Sequence, residues 1–277
     1  MITQDKWILI TGASTGIGHA CTEYLASKGY KIYAGARKKI DLKELDALKN
    51  VKALKLDVTQ QETVDEAVNI IKNTSNSLFA LINNAGIALA GPLMDISVSE
   101  IRSQFEVNLL GVHRVTQAVF PFLLESQGKI FMMSSNSGFF AAPFFGPYNA
   151  SKFALEGYSD SLRRELSLFK VDVIILEPGR INTPIWDKGR ALLDKFKGSM
   201  FEKYARGLGE YAIKQGKEDS LDPKEVAEVI YEALIDEKPK TRYLVVPDKF
   251  RNKLLKILPD RTIDKILAKQ IKKLSSQ

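Results

Sequence analysis

A chain of 277 residues that is 45% hydrophobic has enough apolar material for a real core, which excludes a disordered or fibrous chain. The net charge of +7 sits in residues 249–277, where nine Lys/Arg face only Asp260 and Asp264, so the rest is balanced and no nucleic-acid partner is expected. Residues from Met1 onward show no basic leader and no long apolar run, so neither secretion nor membrane crossing is predicted and the expected location is cytoplasmic.

In chain order, apolar runs predict strands at 7–10, 31–34, 53–56, 79–82, 129–133, 171–176 and 243–246, with amphipathic stretches between them. Cys21 falls in the first helical stretch and reads as a small packing residue, since a single cysteine forms no internal disulfide. Gly29 closes that helix, Ser97 with Glu100 makes a capping box, and Asp222-Pro223 with Glu225 opens another helix. A long amphipathic helix is predicted over 101–125. Short strands that are apolar on both faces need cover on both faces. The expectation is therefore an α/β fold: one doubly wound, Rossmann-type domain over 1–277, with a parallel sheet of about seven strands and helices on both sides. Residues 183–220 read as a helical insertion, and 249–273 as a basic helical tail.

The first chemical motif follows the first strand directly: Thr11-Gly12-Ala13-Ser14-Thr15-Gly16-Ile17-Gly18. Its glycines permit a tight turn and close approach to a pyrophosphate, whose charge suits the free amides at a helix start. The residues predicted to touch it are Gly12, Ser14, Gly16, Ile17 and Gly18. About twenty residues further on, a dinucleotide fold that binds NAD places a carboxylate on the adenine ribose. Here the chain has Ala36-Arg37-Lys38-Lys39. A guanidinium at that point suits the 2′-phosphate of NADP(H), which is the preferred cofactor; Asp41 close by leaves NAD(H) open.

A second constellation is Tyr148-Asn149-Ala150-Ser151-Lys152, where tyrosine and lysine at i and i+4 share a helix face. A phenol with pKa about 10 needs a drop of roughly three units, about 4 kcal/mol, to act as a base near neutrality. An ammonium about 5.5 Å away supplies roughly 3 kcal/mol at an effective dielectric near 20. On this estimate Lys152 provides most of the shift, and the positive charge of an oxidised nicotinamide provides the rest. Taken alone, the pair would serve equally well as an ordinary surface helix face.

These motifs occur with others in one order: Asp57-Val58, Asn83-Asn84-Ala85-Gly86, Asn108, Ser135 and Pro178-Gly179-x-Ile181-x-Thr183. Over nearly its whole length the chain resembles the short-chain dehydrogenase/reductase family. The glycine spacing is that of its compact oxidoreductase branch and not of its epimerase and dehydratase branch. The resemblance implies that Tyr148 donates or accepts the proton, and that Lys152 tunes it and holds the nicotinamide ribose. It implies that Ser135, thirteen residues before Tyr148, binds the substrate oxygen, with Ser134 and Ser137 structural. Asn108 would bend the long helix and hold a water leading to the lysine. Asp57 with Val58 would contact the adenine, and Asn83, Ala85 and Gly86 would form the loop under the adenine ribose. Pro178, Gly179, Ile181 and Thr183 would meet the carboxamide and pyrophosphate. A homodimer or homotetramer is also implied.

No metal is required, because the two histidines, His19 and His113, stand apart from any liganding cluster. Phe139, Phe140, Phe144, Phe145, Ile185 and Trp186 suit a small lipophilic alcohol, ketone or aldehyde, or else a core or subunit contact. The insertion and tail make the chain longer than the family's acyl-carrier-protein reductases and closer to its steroid- and retinol-type members. The tail reads foremost as a helix packed over the substrate cleft or a neighbouring subunit, with peripheral membrane contact as the second reading. The alternatives to an alcohol dehydrogenase or carbonyl reductase are an NADP(H)-binding regulator without turnover and a 3-oxoacyl-type reductase. Retention of Asn108, Ser135, Tyr148 and Lys152 together favours the enzyme.

Overall fold

The computed structural model describes residues 5–186 and 194–276. Seven strands form one wholly parallel sheet: β1 (Trp7–Ile10), β2 (Lys31–Ala36), β3 (Val51–Lys55), β4 (Ala80–Asn83), β5 (Lys129–Met133), β6 (Asp172–Pro178) and β7 (Arg242–Val245). Their order in the sheet is β3-β2-β1-β4-β5-β6-β7. The chain winds outward one way from β1 and the other way from β4. The carboxyl ends of those two strands therefore flank the crevice where doubly wound sheets take ligands.

The strands are short and apolar because both faces are covered. On one face Ile8, Ile32, Phe131 and Ile174 pack on helix α1 (Gly16–Ser27) and on α8 (Pro223–Ile235), whose Val226, Ile230 and Ala233 are buried. On the other, Leu9, Tyr33, Met132 and Ile175 meet α3 (Gln61–Thr74), α5 (Gly111–Ser126) and α6 (Gly146–Leu166). Short α2 (Lys39–Asp46) leads into β3, and α4 (Val98–Phe105) leads into α5. Among the described residues the chain also forms α7 (Glu202–Glu218), α9 (Lys249–Leu255) and α10 (Asp260–Leu274).

Strand ends move by a residue or two from the sequence reading. β3 begins at Val51, which pairs with Ile32, and β6 runs on through Glu177 to Pro178, which pairs with Val245. Hydrophobicity marks where side chains are buried, whereas the ladder is made by backbone groups and continues through polar residues. Gly29 does follow α1, with a φ of +91°. Both predicted capping boxes form, at Ser97/Glu100 and at Asp222/Glu225.

The long helix differs from expectation. It is α4 and α5 joined by a π-helical turn, Glu106–Leu110, with Asn108 at its centre. By length and composition residues 98–126 would also pass for a membrane span, but Val112, Val115, Val119 and Leu123 lie against the sheet. Part of the predicted insertion, residues 187–193, lies outside the described residues. Its described helix is α7, and Trp186 ahead of it donates from Nε1 to Ile181 O at 2.8 Å.

Candidate active site

A cavity of about 700 Å³ runs along the carboxyl edge of the sheet, from the end of β2 to α7 and the tail. At its nucleotide end, Gly12 and Gly16 adopt φ of +64° and +57°, which L side chains avoid. Gly12, Ser14, Gly16 and Ile17 line the cavity. Gly18 does not. A Cβ there would stand 2.2 Å from Gly12 O, so this glycine lets α1 pack against the loop. Among the described residues no side chain caps the first amides of α1, and no carboxylate lies in its first turn, which leaves those donors for an anion.

The loop after β4 braces the glycine loop. Thr11 Oγ1 accepts from the amides of Asn84 and Ala85, both at 3.0 Å, and Asn84 Nδ2 donates to the carbonyls of Thr11 and Gly12, also at 3.0 Å. Ala85 and Gly86 reach the cavity as expected. Asn83 is a correction: its side chain is 2% exposed and donates to Thr116 Oγ1 at 2.9 Å, on the α5 side of the sheet. Side chains alternate along a strand, so the neighbour Asn84 faces the loop instead.

Arg37, Lys38, Asp41, Asp57 and Val58 line the far end. Arg37 Nη1 is 3.9 Å from Asp57 Oδ2 and its side chain is 66% exposed, a loose pairing that leaves the guanidinium open to a phosphate. Asp57 is fixed by Thr59, whose amide and hydroxyl donate to Oδ1 at 3.0 and 2.8 Å. Asp41, in the first turn of α2, stands beside the same space, so the ribose carboxylate alternative keeps its geometry.

The end of β5 holds the face of α6. Lys152, 5% exposed, donates from Nζ to Met133 O at 2.7 Å and lies 5.6 Å from the centre of the Tyr148 ring. The Ser135 hydroxyl donates to Pro178 O at 3.2 Å and accepts from Ser137 N at 3.1 Å, on the side of the cavity that Tyr148 also lines. Ser134 Oγ instead stands over Gly138 on the Glu156 side, so geometry separates the two serines that only spacing distinguished.

The electrostatics reverse one expectation. Burial pushes the Tyr148 phenol up, with the Ser135 hydrogen bond opposing, and burial pushes the Lys152 ammonium down to about 8, with Glu156 opposing. Desolvation disfavours both charged forms and is the largest cause at each group. The surface dielectric used for the sequence estimate left this cost out.

A family profile described as short chain dehydrogenase matches residues 6–192. The chain belongs to that family. It is 35% identical, over 98% of its length and 99% of the relative, to a protein of Ornithobacterium rhinotracheale named NADPH-dependent 3-dehydrocapnine reductase. A mouse protein, short-chain dehydrogenase/reductase family 9C member 7, is 30% identical over 97% of this chain and 90% of its own. A crystal structure of a short-chain dehydrogenase from Streptomyces avermitilis superposes with a TM-score of 0.78, at 26% identity and over 100% of this chain and 99% of that one.

Within this short-chain dehydrogenase, Asn108 is 1% exposed and works as a brace. Its Oδ1 accepts from Ile87 N at 2.9 Å, and its Nδ2 donates to Ile87 O at 3.0 Å and Ser151 Oγ at 3.1 Å. It ties the π turn, the loop after β4 and α6 together, one residue from Lys152. Pro178, Gly179, Ile181 and Thr183 line the cavity. A Cβ on Gly16 would meet Thr183 Cγ2 at 3.0 Å, so this segment folds back over the glycine loop.

Phe140, Phe144, Phe145, Ile185 and Trp186 line the substrate side as expected. Phe139 does not; it lies under Lys256 Nζ, 3.9 Å from the ring centre. Sequence reasoning missed Phe196, Leu208, Tyr211 and Arg251, while Leu267 and Ile271 of the tail reach the cleft as one of its two packing alternatives had them. Only the helical apolar spacing of the tail hinted at the last two. No residue of α10 is fully buried, so it lies on the rim of the cleft. Cys21 is wholly buried with its thiol pushed up to about 12, His19 pairs with Glu23 at 3.2 Å, and His113 with Tyr158 Oη at 3.0 Å.

Proposed function

We infer that the protein is an NADP(H)-dependent alcohol dehydrogenase or carbonyl reductase acting on a lipophilic alcohol, ketone or aldehyde, and working mainly toward reduction. The observation that carries this is one cavity with two unlike ends. Uncapped amides of α1 and the open Arg37 guanidinium stand at one end, and the Tyr148, Ser135 and Lys152 group, walled by aromatic side chains, at the other. The residues fit the cofactor: the backbone cradle at Gly12 and Gly16 suits a pyrophosphate, and Arg37 with Lys38 suits a 2′-phosphate. When bound, NADPH supplies the hydride.

The protein's part is binding, orientation and the proton. Ser135 turns its hydroxyl from Pro178 O to the substrate oxygen and stabilises charge developing there. Tyr148 gives that oxygen a proton. Burial disfavours the phenolate, so in the free site Tyr148 carries the proton that the reductive direction needs. Lys152 would hold the ribose hydroxyls of the cofactor. The relative named as an NADPH-dependent reductase, and the length resemblance to steroid- and retinol-type members, support the cofactor and the lipophilic class.

The test is NADPH oxidation with a panel of lipophilic ketones and aldehydes. Wild type turns over; Tyr148→Phe binds NADPH by fluorescence titration yet loses about 10²–10⁴-fold in kcat. Tight binding by both with turnover by neither would establish the regulator instead.

A further inference from the structure

Behind Lys152, charged side chains from four parts of the chain meet. Glu156 and Asp160 continue the Lys152 face of α6; Glu177 comes from β6, Arg242 from β7 and Lys256 from the end of α9. Arg242 reaches all three carboxylates, 3.1 Å from Glu156 Oε2, 3.1 Å from Asp160 Oδ1 and 3.7 Å from Glu177 Oε1. Lys256 Nζ stands 3.1 Å from Glu177 Oε2, and Glu177 is 2% exposed. Arg163 and Arg164 take Asp160 at 3.5 and 3.8 Å. Next to Lys256, Asn252 accepts from Asn136 Nδ2 at 3.1 Å, so the tail also holds the loop that carries Ser135.

Among the described residues, Lys152 has no carboxylate within ion-pair distance, and its one hydrogen bond goes to Met133 O. A buried ammonium with so little contact needs a counter-charge at longer range. Glu156, one turn along and pinned by Arg242, is placed to supply it.

We propose that Glu156 is a positioning residue, whose carboxylate keeps Lys152 charged, and that Lys256, by answering Glu177, lets the docked C-terminal segment keep Glu156 ionised. This rests on the catalytic reading of Lys152 given above. The links have definite signs. Burial pushes the Glu156 carboxyl up, Ser134 opposes, Glu177 adds to the rise and Arg242 opposes it. Uncovering Glu177 therefore favours protonated Glu156, which withdraws the support of Lys152.

Lys152 can be followed without any substrate, by its pH-dependent labelling with acetic anhydride in the free protein, read by peptide mass spectrometry. Only the neutral amine reacts, so the wild-type midpoint reports the lowered value of about 8. Glu156→Gln is expected to move the midpoint down by about one pH unit, and Lys256→Met to move it the same way by less, with Lys256→Arg restoring it. In NADPH-linked reduction the alkaline limb of kcat should shift with it. A structural role alone would lower the melting temperature and leave the labelling curve in place, which overturns the proposal. Should Glu156→Gln fail to fold, coincident curves for Lys256→Met and wild type overturn it equally. Loss of turnover in wild type with the labelling shift intact would instead indict the catalytic reading.

Discussion

At the nucleotide end of the cavity the working groups are mostly backbone: positive-φ glycines, the amides opening α1, and a loop braced by Thr11 and Asn84. It comes from the loops that follow β1, β2, β3 and β4, with the segment after β6 folded over the glycine loop. At the substrate end the working groups are side chains drawn from the loop after β5, from α6 and α7, and from the tail. A backbone site depends on local conformation, which glycine spacing encodes directly. A side-chain site depends on which distant elements are packed together, and there burial changes the chemistry of each group it encloses.

The sharpest way to separate the two ends is to remove one donor from each. Ser135→Ala should lower kcat by about 10²–10³-fold, with NADPH binding by fluorescence unchanged, because the donor matters only once charge develops on the substrate oxygen. A comparable loss of NADPH affinity would show that the ends are not independent. Arg37→Ala should weaken NADPH by about 10–100-fold, the worth of a charge-assisted phosphate contact, and leave NADH within about two-fold. Equal weakening of both would return the preference to the Asp41 alternative. On the substrate side, Ile271→Ala should raise KM for a lipophilic ketone by about three- to ten-fold with kcat unchanged, since a part-exposed side chain gives up only part of its transfer energy.

The same division explains what could be read beforehand. The sheet, the glycine loop, both capping boxes and the family were legible because each is carried by contiguous residues with a fixed period or spacing. Asn83 was misplaced because motif position does not say on which side of the strand a residue falls, and its buried bond to Thr116 is made across the fold. Asn108 was found together with the break in the long helix, but not its bonds: the inserted turn aims its amide at Ile87. Phe139 looked like a pocket residue until the tail placed Lys256 on its ring. Leu267 and Ile271 showed the spacing of a helix face that would pack on the substrate cleft or on a neighbouring subunit, and the fold places them at the cleft.

The smallest expected effect concerns what the side-chain site costs the fold. Lys152 is almost fully buried, and its ammonium falls from the ordinary 10.5 to about 8. Between these values the unfolded chain binds a proton that the native protein has released, so wild-type stability rises with pH across that window; below it the buried charge is a standing penalty of about 3 kcal/mol. Lys152→Met removes the penalty and keeps most of the apolar stem, but gives up the hydrogen bond to Met133 O, worth about 1 kcal/mol or somewhat more for a charged donor. The net of about 1–2 kcal/mol should raise the melting temperature of the inactive variant by a few degrees at neutral pH. The advantage should shrink as pH rises past the Lys152 midpoint, because there the wild-type amine is already neutral. Thermal melts of both proteins on either side of that midpoint decide it. A gap that stays constant with pH would mean that Lys152 carries no penalty in the folded state, and the contrast between a backbone-built end and a desolvated side-chain end would lose its energetic basis.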